Sequence, residues 1–109
     1  MLFLSSDKRF NNSKLFFSKY ELQKILSCYS IGVSRGSWKD YAINFNQNEA
    51  NFFMYKHSSA APYFILTKSI RMKKNKIVYK LQINNTKKDI FTHIDELLII
   101  LKRRQFKIF

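Results

Sequence analysis

Within the stretch from Tyr41 to Ile83, separate runs of the chain switch sides at every residue. Tyr41, Ile43 and Phe45 alternate with Asp40, Ala42 and Asn44, and Ile77, Tyr79, Leu81 and Ile83 alternate with Val78, Lys80 and Gln82. A two-residue period is that of a strand with one face buried. Between these runs, "ANFFMYKH" places Asn51, Phe53, Tyr55 and His57 opposite Phe52 and Met54, and "YFILTK" supplies a third strand. The connections "NQNE", "SSAAP" and "RMKKNK" are short, which makes the four strands an antiparallel meander. "NNTKKD" is a further turn, leading to Ile90 and Phe91, where only a short fifth extended stretch is available.

Helices flank this block. Ser18 followed by Glu21 has the spacing of a capping box, with Phe17 and Leu22 placed for a hydrophobic staple. Leu22, Ile25, Leu26, Tyr29 and Val33 then follow helical spacing. Gly36 is suited to the left-handed residue that stops a helix. The chain closes with a second helix: Thr92 is its expected N-cap, Asp95 and Glu96 stand in its first turn, and Lys102, Arg103 and Arg104 stand near its end. Ile94, Leu97, Leu98 and Leu101 form its buried stripe, which Ile99 and Ile100 widen.

The fold expected from this order is α+β: helix, four-stranded antiparallel meander, helix, with both helices on one sheet face as a two-layer sandwich. Residues 1–16 are expected to form a polar N-terminal arm and 17–109 a single domain. The start "MLFLSSDKRF" has too few consecutive apolar residues for a signal-peptide core, and no apolar run reaches the ~20 residues of a membrane span.

Charge narrows the class of partner. The 109 residues carry a net charge of +13. Abundant Lys, Asn, Ile and Phe are what an AT-rich genome writes, which accounts for part of the lysine excess but not for the scarcity of acids. From Ala50 to Lys88 there is no Asp or Glu, while Lys56, Lys68, Arg71, Lys73, Lys74, Lys76, Lys80, Lys87 and Lys88 fall in that stretch. Such a balance points to a polyanion, with RNA favoured over DNA. The expected phosphate contacts are Arg71, Lys73, Lys74, Lys76, Lys80, Lys87, Lys88, Lys102, Arg103 and Arg104. Phe53, Tyr55 and His57 are candidates for base stacking or for a protein interface.

Nothing in the residue pattern builds a reaction centre. Cys28 is the only cysteine, so there is neither a disulfide nor a cysteine-based metal site. His57 and His93 have no orienting partner in sequence, and Gly32 and Gly36 are the only glycines, too few for a phosphate-cradling loop. The reading is therefore non-enzymatic, with no catalytic residue, metal or cofactor. In "GSWKDYAINF", Trp38, Asp40 and Tyr41 are read as a structural motif: Trp38 plugs the junction of helix and sheet, and Asp40 pairs with Lys39 or caps an amide.

"ELQKILSCYSIGVSRGSWKDYAINF" resembles a family of small alphaproteobacterial proteins, domain of unknown function 2794. That family's pattern is E-L-x-x-I/L-L-x-x-Y, V-x-x-G, then E-W-R-D-Y-A-I-D-F. Glu21, Leu22, Ile25, Leu26, Tyr29, Val33, Gly36, Trp38, Asp40, Tyr41, Ala42, Ile43 and Phe45 fit it, while Ser37, Lys39 and Asn44 depart from it. Ala50, Phe52, Pro62, Tyr63, Ile65 and Lys68 continue the likeness, with Lys56 and His57 in place of paired arginines. A basic K-R-G-H stretch before the last helix is missing here. The resemblance covers about residues 17–104. It supplies no reaction and implies a cytoplasmic bacterial protein, or one of an organelle matrix with an AT-rich genome.

The functional expectation is an RNA-binding or ribonucleoprotein-associated protein. The alternatives are an adaptor or homodimer using an apolar sheet face, and an enzyme whose site is assembled only in space.

Overall fold

The computed structural model describes residues 14–57, 61–71, 76–86 and 88–105. Helix α1 (Lys19–Ser34) leads into strands β1 (Asp40–Phe45), β2 (Glu49–Tyr55), β3 (Phe64–Arg71), β4 (Lys76–Ile83) and β5 (Lys88–Phe91), followed by helix α2 (Ile94–Gln105). The class is α+β. The strands pair antiparallel in chain order, so among the described residues the sheet has five members and not the four expected.

The fifth strand comes from its turn. Asn84 and Asn85 both take positive φ, 47° and 63°, and the Thr86 amide donates to the Ile83 carbonyl. Two left-handed residues in succession make the tight hairpin turn whose twist matches that of the flanking strands. The chain therefore returns along β4, pairing Lys88 with Gln82 and Phe91 with Tyr79. "KDIF" has too little strand character to announce this by itself.

Both ends of α1 are built from local chemistry. The Ser18 hydroxyl accepts from the Glu21 amide at 3.1 Å, and Glu21 Oε1 accepts from the Ser18 amide at 2.7 Å. At the other end Gly36 (φ 84°) donates to the Val33 carbonyl and Ser37 to the Gly32 carbonyl. These two bonds form a Schellman stop, which requires a left-handed residue where Gly36 stands. The chain then turns into β1, with the Lys39 amide on the Tyr55 carbonyl.

Residues of both helices and of one sheet face share a single core: Ile25 and Cys28 from α1, Leu97, Leu98 and Leu101 from α2, and Phe52, Met54, Phe64, Leu66, Tyr79 and Leu81 from the sheet. The pairings Phe52–Leu66 and Leu66–Leu81 lay a continuous apolar row across three strands. Two stripes are narrower than expected. Val33 is 44% exposed and Ile99 56% exposed, because α1 ends beside Val33 and α2 turns Ile99 outward. Helix α2 begins at Ile94, so His93 rather than Thr92 stands immediately before it.

The last residues of the expected N-terminal arm are tied to the sheet. Leu15 donates to the Asn46 carbonyl, the Phe16 ring lies 4.7 Å from that of Phe45, and the Phe16 carbonyl accepts from Lys68. Lys68 is a correction to the polyanion reading. It is 7% exposed and pairs with Glu21 at 2.8 Å, because its strand position faces the helices.

Candidate nucleic-acid interface

Strand register decides which candidates share a surface. Alternation sends Phe52, Leu66 and Leu81 toward the helices, so their neighbours Phe53, Ile65, Thr67, Lys80 and Gln82 lie on the opposite face. Two adjacent rows result. One runs Phe53–Ile65–Gln82–Lys88, the other Asn51–Thr67–Lys80–Ile90. Together with Glu49 these residues, Ile90 excepted, line a concavity of about 210 Å³.

The floor of the concavity is ordered by a hydrogen bond. Thr67 Oγ1 donates to Asn51 Oδ1 at 2.7 Å. Gln82 Nε2 donates weakly, at 3.4 Å, to the Thr86 carbonyl. Phe53 is half-buried and outside the helix-side core. Lys80 and Lys88 sit on neighbouring strands, diagonally related, on the β4–β5 side; Glu49 is on the β2 side. This face is not open throughout, since Ser69 and Val78, toward the β3–β4 hairpin, are buried.

The other basic candidates are dispersed. Arg71 and Lys76 are cross-strand partners at the mouth of the β3–β4 hairpin, both exposed. Arg103 and Arg104 flank a separate groove with Asp89, Ile90, Phe91 and Ile100. Lys102 borders a third hollow with Lys24 and Asp95. Lys73, Lys74 and Lys87 lie outside the described residues. Tyr55 is half-buried beside Asp40 in the register, and His57 is exposed beyond the end of β2.

Trp38, Asp40 and Tyr41 make different contacts. Trp38 is 3% exposed, packs its ring 5.0 Å from Phe64, and donates through Nε1 to Gln105 Oε1 at 3.0 Å. Gln105 in turn donates to the Cys28 carbonyl at 3.1 Å, so one amide joins α2, α1 and the β1 approach. Asp40 Oδ1 accepts from the Tyr41 amide. Tyr41 is exposed at its edge yet stacks on Phe52 at 5.2 Å, with the planes 5° apart.

A buried polar cluster escaped sequence reasoning. Lys68 and the Tyr79 hydroxyl both donate to the Glu21 carboxylate. Burial pushes the Glu21 carboxyl up, but the bonds from Lys68, Tyr79 and Ser18 outweigh it and hold it below its usual range. Burial and the Glu21 partner push the Tyr79 phenol up. The cluster ties α1 to β3 through Lys68 and to β4 through Tyr79. The signal that could have found it is that Lys68 and Tyr79 share the core-facing parity of their strands.

Among the described residues no three His, Cys, Asp or Glu side chains converge on a metal position. No described helix is long and apolar enough to cross a membrane. A family model described as a protein of unknown function (DUF2794) matches residues 15–103. No curated protein and no solved structure matches the chain.

Proposed function

We propose that this chain, which belongs to the DUF2794 family, is a non-enzymatic nucleic-acid-binding protein that engages RNA, free or within a ribonucleoprotein, through the sheet face away from its helices. The observation that carries the proposal is the concavity that Phe53 lines on β2 while Lys80 and Lys88 line it on β4 and β5. An aromatic ring offers stacking and the lysines offer phosphate neutralisation, the pairing that single strands require. The two-layer arrangement belongs to the same proposal: helices that cover one face leave the other for a partner. The net charge of +13 supports it by raising the local concentration of a polyanion. An adaptor gripping the sheet would want an apolar face; here Asn51, Thr67, Lys80 and Gln82 occupy it, which favours nucleic acid. The setting proposed is the cytoplasm of an alphaproteobacterium with an AT-rich genome.

The test is a titration of structured RNA and duplex DNA at several salt concentrations. Binding should weaken as salt rises, and Lys80→Gln with Lys88→Gln should flatten the logarithmic salt slope by up to about two units. No binding to either nucleic acid at low salt removes the proposal.

A further inference from the structure

Resting on that reading, we infer that the concavity seats one unpaired base of a single strand, with the backbone running over β4 and β5. Its size sets the limit. The lining spans two rows of one sheet face, and neighbours within a row are ~5 Å apart, with diagonal neighbours at ~7–8 Å. A hollow of about 210 Å³ accepts one base over Phe53 and Ile65. A paired base is already stacked and hydrogen-bonded inside its duplex, so only an unpaired one gains from the Phe53 ring.

Polar groups orient the base. Because Thr67 donates to Asn51 Oδ1, the Asn51 amide nitrogen keeps its two N–H groups, for which the described residues supply no bonded acceptor. Those donors suit the ring carbonyls and nitrogens on a base edge. The acceptor of Gln82 is likewise uncommitted, since Gln82 bonds the Thr86 carbonyl through its nitrogen. Charge then fixes the side on which the backbone runs. Glu49 borders the β2 side and repels phosphate, whereas Lys80 and Lys88 border the β4–β5 side and attract it. The phosphates therefore follow the lysines, and the base points inward across the sheet toward Asn51.

The experiment is fluorescence anisotropy of the full chain with a labelled short oligouridine strand, its oligothymidine counterpart, and duplexes of both with complementary strands. Single strands should bind roughly tenfold or more tightly than duplexes. Phe53→Leu keeps apolar volume but removes the ring, and should weaken strand binding about five- to hundredfold with duplex binding unchanged. Glu49→Gln should tighten strand binding. A strand whose bases are replaced by abasic sites should lose the same affinity toward the unaltered protein, a readout that needs no variant to fold. Equal affinity for strand and duplex, with abasic strands bound as tightly as intact ones, overturns the inference while leaving phosphate binding standing. Absence of all binding at low salt overturns both.

Discussion

Lys68 Nζ lies 2.8 Å from Glu21 Oε1, with both side chains almost fully buried. The same carboxylate caps α1 through the Ser18 amide and accepts from Tyr79. One residue at the third position of a helix thus fixes that helix to two strands and, through the Lys68 bond to the Phe16 carbonyl, fixes the chain entering it. Removing one member of a buried pair leaves the other charge without compensation. Lys68→Met should cost about 3 kcal/mol or more in urea unfolding. Combining it with Glu21→Gln should cost clearly less than the two single losses summed, as expected for groups that interact directly.

The same carboxylate gives stability a pH dependence of known sign. Its folded-state pKa is below the ordinary 4.5, so its contribution is fully present above that value and is lost as pH falls through the folded pKa. Melting temperature should decline on acidification below about pH 5. Glu21→Gln should be less stable at neutral pH and should show a shallower decline. An unchanged acid slope in that variant would place the titrating group elsewhere.

The two glycines differ in kind. A Cβ on Gly32 would overlap the Trp38 indole, with Gln105 just behind it. Gly32→Ala should therefore cost at least about 1–3 kcal/mol by overpacking. Around Gly36 there is open space, and only its φ of 84° resists a side chain. Gly36→Ala should cost about 1–2 kcal/mol, and Gly36→Asn less. Denaturant midpoints rank the three.

Gln105 is fully buried and serves both Trp38 Nε1 and the Cys28 carbonyl. Gln105→Leu orphans the Trp38 Nε1–H, while the Cys28 carbonyl keeps its helical bond, and should cost about 1–3 kcal/mol at similar volume. Ser37 gives the opposite case: its buried hydroxyl has no partner among the described residues. Ser37→Ala should be neutral or stabilising by up to about 1 kcal/mol. A calorimetric scan of each variant decides.

Burial pushes the Cys28 thiol up to about 11, against the pull of Lys102 and Gln105. At pH 8 only about one molecule in a thousand then carries the thiolate that reacts. A disulfide reagent should label the native protein slowly and the urea-unfolded protein fast. Rapid labelling of folded protein would show that α1 and α2 open readily around this site.

Local rules made much of this protein legible from its sequence. The Ser18–Glu21 cap and the Gly36 stop depend on residues within a few positions of each other, so their spacing specifies them. Strand alternation did the same for β1, β2 and β4, since a one-residue slip would turn every core side chain outward. Tertiary structure decided what lies beyond that range. The fifth strand depends on pairing with β4, which rescues a segment of weak strand character. Lys68 reads as one more exposed charge until register places it against Glu21, 47 residues away in the chain. The candidate site has the same origin. Lys80 and Lys88 are two of many basic residues in the sequence, and only sheet register sets them on one floor with Phe53, Asn51 and Thr67 while scattering Arg71, Lys102 and Arg103 elsewhere. Composition fixes how much charge a chain carries; where that charge gathers is set by hydrogen bonds between strands distant in sequence.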